Sequence, residues 1–284
     1  MFNRTMVSAS NTMSQLQQKI DSIGNNLSNT DTTGYKSENA TFGELLYQQY
    51  NNDKKDGAPR QTPLGIRIGV GAQIAQTQLN QKQGSLKSTG RHLDFALTKE
   101  NQYFNVNMGD RHDPDNLLQI GMTRNGNFQL SPNEDGTVNL TDANGNYVLD
   151  VNSDEIVFKE EPKDIGISEK GIMEVTYQDG TTEDIGLWIT QMNRPDTMIH
   201  REGGYLIVPD NLEDLDLNVT DLMTELNGDN RNLISLENGV LEASNVDTSA
   251  EMTDLIQTQR SYQFNARTVS MADQMMGLVN SIRS

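Results

Sequence analysis

The sequence predicts an α+β protein, mainly β, with an antiparallel β-rich body of sandwich or barrel type and long N- and C-terminal helices. Three observations support this fold class. Apolar residues recur with helical spacing at both ends of the 284-residue chain. Between the ends, short alternating apolar stretches are separated by turns about every ten residues, as in antiparallel sheets. Narrow apolar seams at both ends favour a coiled-coil-like pair of helices.

The N-terminal helix, expected within residues 1–33, is indicated by apolar residues in alternating steps of three and four. Nearly all residues between these positions are polar. So narrow a seam suits packing against another helix better than docking onto a broad core. The seam consists of Phe2, Met6, Ala9, Met13, Leu16, Ile20, Ile23 and Leu27.

The end of this helix is predicted by a run of mostly short polar side chains, Asn25 to Thr33, followed by Gly34. Such side chains compete for backbone hydrogen bonds, and glycine readily turns the chain. Residues 34–64 are expected to form a connecting arm and a linker. Within them, residues 51–63 have linker composition and no apolar periodicity.

The body is expected over residues 65–244. Ile66, Ile68 and Val70 alternate, which favours a strand over a glycine-rich phosphate loop, because the loop's spacing is absent. Asn125-Gly126 predicts a hairpin, and Asn144-Gly145 predicts the next turn. The acidic stretch 211–231 is expected to be a surface excursion or a flexible loop.

The C-terminal helix is expected within residues 245–284, with Thr248 or Ser249 as its cap, and to pack with the N-terminal helix. Leu255 begins a series of apolar residues that recur every seven positions. The predicted seam consists of Met252, Leu255, Tyr262, Val269, Met276 and Val279.

Composition excludes several classes of partner and of chemistry. The formal net charge of −18 argues against nucleic acid, which needs a cationic surface. The absence of cysteine removes disulfides and thiol catalysis. No apolar run reaches the roughly 20 residues of a membrane span, so membrane insertion is not expected. The periodic N-terminus has no apolar core of a signal peptide, so export without a cleavable signal is expected.

No catalytic, cofactor or metal site is predicted, and no small-molecule substrate. Asp142 to Asn146 offers alternating oxygen ligands like the opening of a calcium loop. However, Tyr147 stands where that loop needs glycine, and Ser153 where it needs glutamate, so a hairpin turn is the better interpretation.

Several motifs together resemble the bacterial flagellar rod and hook proteins, most closely the distal rod proteins. The resemblance covers the N-terminal helix and its turn, the segments 83–97 and 123–128, and the C-terminal segment from Gly239 onward. The signature residues that match the family are Asn25, Asn26, Asn29, Thr33, Gly34, Tyr35, Lys36, Ser244, Asn245, Val246, Asp247, Gln259, Arg260 and Tyr262.

This resemblance implies a structural subunit of the flagellar axial structure that self-assembles into a helical, torque-transmitting tube. The implied partners are further copies of the chain and other rod or hook proteins, in the basal body and outside the cytoplasm. A hook subunit is the nearest alternative. A different alternative is a non-flagellar, acidic β-domain that binds carbohydrate or peptide and oligomerises through its terminal helices.

Overall fold

The chain forms two compact units in a computed structural model that describes residues 2–44, 48–50, 66–68, 72–109, 119–168, 170–210, 212 and 217–283. The first unit comprises Met1–Ser28, Glu38–Gln78 and Asp247–Ser284. The second comprises Asn29–Ser37 and Leu79–Val246. The described structure is rich in antiparallel strands and has a helix at each end, as the sequence predicts.

The first unit contains the two long helices, α1 (Phe2–Ser28) and α3 (Thr248–Arg283), which lie against each other. Strand β1 (Glu38–Glu44) pairs with β4 (Ala72–Leu79). Strand β2 (Gln48–Tyr50) pairs antiparallel with β3 (Ile66–Ile68), where a strand is predicted. The predicted linker 51–63 and Val70 lie outside the described residues.

The second unit contains the other strands and one short helix. Its strands are β5 (Leu86–Ser88), β6 (Phe95–Leu97), β7 (Gln102–Asn107), β8 (Ile120–Thr123), β9 (Gln129–Pro132), β10 (Val138–Thr141), β11 (Tyr147–Val148), β12 (Val157–Phe158), β13 (Asp164–Ile167), β14 (Ile172–Thr176), β15 (Thr182–Gly186), β16 (Ile189–Met192), β17 (Ile199–Arg201), β18 (Tyr205–Ile207), β19 (Met223–Glu225), β20 (Leu236–Asn238) and β21 (Val240–Glu242). Helix α2 spans Val219–Leu222, and 3₁₀ turns span Pro195–Thr197 and Gly228–Leu233.

The main sheet of this unit runs in the order β12-β10-β11-β7-β8-β18-β17. Strand β16 also pairs with β7, β19 with β16, and β9 with β10. The strand order ends at β12 and β17, and these two strands do not pair with each other, so the described strands form an open sheet. A closed barrel, which was one of the two predicted forms, is not formed by these strands. Strands β13, β14 and β15 form a separate antiparallel meander.

The core of the second unit is centred on three fully buried aromatic rings. The ring centroid of Phe128 lies 5.2 Å from that of Phe104 and 5.8 Å from that of Phe95. Tilted and edge-on contacts at these distances add specific geometry to the burial of apolar area. The aromatic cluster therefore fixes the segment 123–128 against β6 and β7.

The predicted hairpin at Asn125-Gly126 is wrong. In the described sheet β8 pairs with β7 and β18, whereas β9 pairs with β10. The amide of Phe95 donates to the carbonyl of Gly126 at 3.0 Å, and a Cβ at Gly126 would lie 1.9 Å from the carbonyl oxygen of Phe95. Glycine is thus needed here for close backbone approach and not for a tight turn.

The turn predicted at Asn144-Gly145 is confirmed. Thr141 of β10 pairs with Tyr147 of β11 across it, and Gly145 has a φ of +88°. The Asp142 carboxylate accepts the amides of Asn144 and Asn146, both at 2.9 Å. These contacts fit the hairpin interpretation, because the carboxylate is engaged by the backbone of its own turn.

Part of the acidic stretch 211–231, which was expected to be a surface excursion or a flexible loop, has regular secondary structure. Residues 217–231 include α2 and β19, and β19 pairs antiparallel with β16. Leu222, Met223 and Leu226 are buried. These buried apolar residues hold the segment against the sheet. Because they are interspersed among acidic residues, the composition of the segment did not predict their burial.

Candidate assembly helices and the junction between their connections

The seam of α1 is largely covered within the first unit. Ala9 and Ile23 are buried, and the remaining seam residues with described side chains are half-buried. Those residues are Met6, Met13, Leu16, Ile20 and Leu27. Phe2 lies in α1, but its side chain is not among those described. Because α1 and α3 lie against each other, these residues form the candidate surface through which the helices pair.

The inner face of α3, which we define as Leu255, Thr258, Tyr262, Asn265, Val269, Ala272 and Met276, is half-buried or buried. Its positions alternate in steps of three and four, as in a coiled-coil seam. The predicted seam residues Met252 and Val279 are instead 49% and 57% exposed. Sequence analysis missed Thr258 and Asn265 because they are polar, although their seven-residue spacing marks the same face.

The outer face of α3, which we define as Phe264, Met271, Met275 and Leu278, is exposed in this chain. Three of these residues follow an inner-face residue by two positions, a rotation of about 200° at 3.6 residues per turn. Phe264 is 70% exposed and Leu278 is 64% exposed. Helix α3 therefore has apolar residues on two nearly opposite sides, and only one side is covered within the described chain.

Asn26 links three elements of the first unit. Its side chain is buried, donates to the carbonyl of Glu38 and to the Glu251 carboxylate, both at 2.9 Å, and accepts the Glu38 amide at 3.0 Å. Burial raises the pKa of the Glu251 carboxyl group. Since a buried amide is costly to leave unpaired, this contact favours one register of α1, β1 and α3.

The N-terminus of α3 is capped by Asp247, and not by Thr248 or Ser249 as predicted. The Asp247 carboxylate accepts the amides of Ser249 and Ala250 at 2.9 and 3.1 Å. An aspartate at this position satisfies amides that have no partner within the helix and complements the helix dipole. The signature residue Asp247 thus fixes where α3 begins.

In the second unit, the segment after α1 meets the segment before α3. We call this meeting point the junction and define it as residues 33–37, 124–125 and 242–245. The Gly34 amide donates to the Glu242 carbonyl at 2.8 Å, and the Thr33 hydroxyl lies 2.8 Å from the Asn125 side-chain oxygen. Gly34 has a φ of +70°, and a Cβ there would lie 2.5 Å from the backbone carbon of Arg124. Both facts explain why glycine occupies this position.

Glu242 lies at the centre of the junction and binds two buried cations. Its Oε1 accepts Lys36 Nζ at 2.7 Å and the Gly84 amide at 2.9 Å. Its Oε2 accepts Arg124 Nε at 2.8 Å and Nη2 at 2.5 Å. Desolvation lowers the pKa of the Lys36 ammonium, and the neighbouring Arg124 charge acts in the same direction.

The other donors of both cations are directed at carbonyl groups. Arg124 Nη1 donates to Lys99 and Gln102 at 2.6 and 2.9 Å, and Nη2 donates to Leu97 at 2.9 Å. All five N–H groups of the guanidinium are therefore satisfied. Lys36 Nζ also donates to the Lys82 carbonyl at 2.8 Å.

Asn245 completes the junction on the side of α3. Its side-chain oxygen accepts the Ser37 amide at 2.8 Å, and its side-chain nitrogen donates to the carbonyls of Asn80 and Lys82 at 2.7 and 2.9 Å. Its own amide donates to the Tyr35 carbonyl at 3.4 Å. Asn245 thus holds the segment before α3 against the segment after α1.

The other signature residues are distributed around these contacts. Ser244 accepts the Val246 amide at 3.3 Å, and Asn29 accepts the Thr32 hydroxyl at 3.1 Å. Asn25 is exposed on α1, and Gln259 and Arg260 are exposed on α3. Sequence analysis missed the pairing of Arg124 with Glu242. The sequence signal for this pairing was that Arg124 and Glu242 each lie within a segment that resembles the family.

The described residues hold no group of three or more His, Cys, Asp or Glu side chains arranged to bind a metal ion. Within the described residues, no helix is both long enough and apolar enough to cross a membrane. The arrangement that the structure does show consists of two helices with apolar faces and a polar junction between the segments that adjoin them.

Comparison with known proteins matches both ends of the chain to families of flagellar proteins. The model of the flagella basal body rod protein family matches residues 6–36, and the model of the flagellar basal body rod FlgEFG protein C-terminal region matches residues 237–282. The two matches include most of α1, most of α3 and most of the junction.

Relatives of similar length extend the match over nearly the whole chain. The flagellar hook-basal body complex protein FlhP of Bacillus subtilis is 40% identical over 99% of each chain. The flagellar basal-body rod protein FlgG of Borreliella burgdorferi is 30% identical over 99% of this chain and 98% of its own. FlgG of Bacillus subtilis is 28% identical over 96% of both. The chain belongs to the flagellar basal-body rod family.

Proposed function

We propose that this chain is a structural subunit of the flagellar rod, of the distal rod type, and not an enzyme. It polymerises with further copies of itself and joins other rod or hook proteins in the basal body, after export without a cleavable signal. The names of its relatives, which are rod and hook-basal body proteins, support this role. Those named FlgG favour the rod over the hook.

The observation that supports the proposal best is the exposed outer face of α3. Helices α1 and α3 lie against each other, and Phe264, Met271, Met275 and Leu278 stay uncovered within the described chain. Exposing such a row of apolar side chains to water is unfavourable, so a neighbouring subunit that covers it gains the free energy of burial. A repeated contact that does not close into a ring produces a helical filament.

The experiment compares Leu278→Ser with Leu233→Ser in the full-length chain. Leu278 is 64% exposed on α3, and Leu233 is 53% exposed in the second unit, so the same substitution is made at two exposed leucines. We expect electron microscopy of concentrated protein to show tubes or short filaments for the unmodified chain and Leu233→Ser, but not for Leu278→Ser. Equal assembly of both variants, or only discrete oligomers of the unmodified chain, would contradict the proposal.

A further inference from the structure

The second unit contains four asparagines that are each followed by glycine. They are Asn125-Gly126, Asn144-Gly145, Asn227-Gly228 and Asn238-Gly239. Asparagine is a thermolabile residue, and a following glycine, which has no side chain, leaves its own nitrogen free to approach the asparagine side chain. The four pairs share this local chemistry, so the fold decides which of them reacts.

The reaction begins when the glycine nitrogen attacks Cγ of the asparagine. A bond forms between this nitrogen and Cγ, the bond from Cγ to Nδ2 breaks, and the proton of the glycine nitrogen leaves with the amide group as ammonia. Water then opens the resulting cyclic imide at either carbonyl carbon, which gives aspartate or isoaspartate. The first step therefore requires a glycine amide that is not held in a hydrogen bond and is free to turn.

Two of the four pairs have a glycine amide that is held. The Gly145 amide donates to the Asp142 carbonyl at 3.1 Å. The Gly239 amide donates to the Asp94 carbonyl at 2.8 Å. An amide held in this way reacts only when the structure opens locally, so the fold slows both sites.

The pair Asn125-Gly126 is restrained by packing and by its asparagine side chain. Gly126 is buried, and a Cβ there would lie 1.9 Å from the Phe95 carbonyl oxygen. The Asn125 side-chain oxygen accepts the Thr33 hydroxyl at 2.8 Å and the Asn127 amide at 3.1 Å. Closing the imide ring would break these contacts.

The pair Asn227-Gly228 has none of these restraints. In the part of the chain that the structure describes, the Gly228 amide donates no hydrogen bond and the Asn227 side-chain oxygen accepts none. Gly228 is exposed, and no described atom lies within 4 Å of the place that a Cβ would take. Its nitrogen is therefore free to turn toward Asn227 Cγ without losing a hydrogen bond or displacing a packed neighbour.

A change at Asn227 would affect how the turn Gly228–Leu233 is held. Leu226 is 1% exposed and its amide donates to the Ile189 carbonyl at 3.0 Å, while Asn227 Nδ2 donates to the Glu225 carboxylate at 3.0 Å. Conversion to aspartate replaces that donor with a second negative charge, which Glu225 repels. Conversion to isoaspartate also adds a methylene group to the backbone between Leu226 and the turn.

We propose that Asn227 is a deamidation site of the folded chain. It reacts first among the four Asn-Gly pairs, with water as the only co-reactant, and its conversion loosens the turn Gly228–Leu233 from the second unit. The inference goes beyond the proposed function and does not depend on it, because it concerns the second unit of a single chain.

The test follows the four asparagines in dilute, full-length chain at mildly alkaline pH, in native buffer and in urea. Peptide mapping by mass spectrometry measures the converted fraction at each site. We expect similar rates at all four sites in urea. In native buffer we expect Asn227 to react faster than the other three by roughly fivefold or more, the factor by which a hydrogen bond of ordinary net strength disfavours a free amide.

A pair of variants checks the role of the glycine. Gly228→Ala should slow the reaction at Asn227, because a methyl group hinders the approach of the nitrogen to Cγ. Gly136→Ala is the matched control, since Gly136 is another exposed glycine with a positive φ and no described atom near its Cβ position. We expect this control to leave the rate at Asn227 unchanged.

A second pair of variants measures the consequence. Asn227→Asp reproduces one product directly, and Asn230→Asp places the same charge at an exposed position of the same turn. Hydrogen exchange should show that residues 226–233 lose protection in Asn227→Asp and keep it in Asn230→Asp. Fluorescence of Trp188, the single tryptophan of the chain and a buried residue, checks that the second unit stays folded.

Two results would overturn the site. They are a reaction at Asn125, Asn144 or Asn238 in native buffer that is as fast as that at Asn227, and the same relative rates in native buffer as in urea. Both measurements use the unmodified chain, so they hold even where a variant does not fold. Equal protection of residues 226–233 in Asn227→Asp and Asn230→Asp would refute the loosening. Failure of the chain to form filaments would count against the proposed function alone.

Discussion

Gly34 shows how a single position can carry two separate requirements. Its φ of +70° lies in the left-handed region, and the space where a Cβ would stand is occupied by the backbone of Arg124 and Asn125. A side chain there would be strained and would also push the junction apart. Glycine at this signature position is therefore explained by close packing within one chain.

Gly34→Ala should accordingly destabilise the second unit by roughly 2 kcal/mol or more, from backbone strain together with overlap. Gly136→Ala is the matched control, since Gly136 has a φ of +82° but no atom within 4 Å of the place that a Cβ would take. We expect that control to lose only about 1 kcal/mol. Urea unfolding followed by Trp188 fluorescence measures both losses, and equal values would show that overlap does not matter.

The raised pKa of Tyr103 predicts how the stability of the second unit changes at alkaline pH. Burial raises the pKa of its phenol from 10.0 to about 12, and the hydroxyl donates to Gln81 Oε1 at 2.8 Å. Because the unfolded chain loses this proton first, the stabilisation is complete below pH 10 and is lost as the pH rises through about 12. A shift of this size corresponds to roughly 2 to 3 kcal/mol.

Tyr103→Phe should therefore lose less stability than the unmodified chain between pH 8 and pH 12. The variant lacks the hydrogen bond to Gln81, so each protein is compared with its own free energy of unfolding at pH 8. The lowered pKa of Lys36 acts in the opposite direction but is common to both proteins. Parallel curves for the two proteins across this range would refute the assignment.

At the scale of elements, the two long helices differ in how their apolar residues are distributed. The seam of α1 is narrow and mostly covered, whereas α3 has a covered inner face and an exposed outer face. The proposed function accordingly assigns contact with a neighbouring subunit to the outer face of α3.

Ile20→Asp should block assembly and leave the strands of the second unit folded. Ile20 is half-buried in the middle of the α1 seam, and a carboxylate desolvated there costs several kcal/mol unless it is protonated or paired. Gln18→Asp places the same charge at an exposed position of α1 as the control. Circular dichroism and sedimentation follow folding and assembly, and normal filaments of Ile20→Asp would argue against a role for the seam.

At the scale of the whole molecule, the two ends of the chain form one compact unit with residues 38–78, and residues 29–37 form another with residues 79–246. The first unit depends on the extreme N-terminus, because α1 begins at Phe2 and its seam includes the buried Ala9. Removal of the first 20 residues would delete most of one helix of the pair. A subunit that uses this pair in assembly must therefore retain these residues.

Mass spectrometry of the protein recovered from flagellar basal bodies should accordingly find residues 2–27 intact. This result is expected for export of the full-length chain, and it agrees with the role of α1 in pairing with α3. An N-terminus near residue 20 or later would indicate cleavage and would exclude the seam of α1 from the assembled structure.

The sequence by itself determined the features that depend on local spacing. The heptad steps of α1 and the seven-residue recurrence beginning at Leu255 predict two helices, because each apolar face repeats along one continuous segment. The turn at Asn144-Gly145 is likewise local, since two residues set its backbone conformation. The family resemblance also lies in continuous segments and was readable for the same reason.

Only the tertiary structure decided which distant residues meet. Arg124, Glu242 and Lys36 are ordinary charges in the sequence, and their pairing depends on three segments that fold onto one another. The hairpin at Asn125-Gly126 failed for the same reason, because the approach of Phe95 and the burial of Arg124 outweigh a local turn preference. Local propensities amount to about 1 kcal/mol, whereas an unpaired buried charge costs several, so long-range contacts prevail where the two conflict.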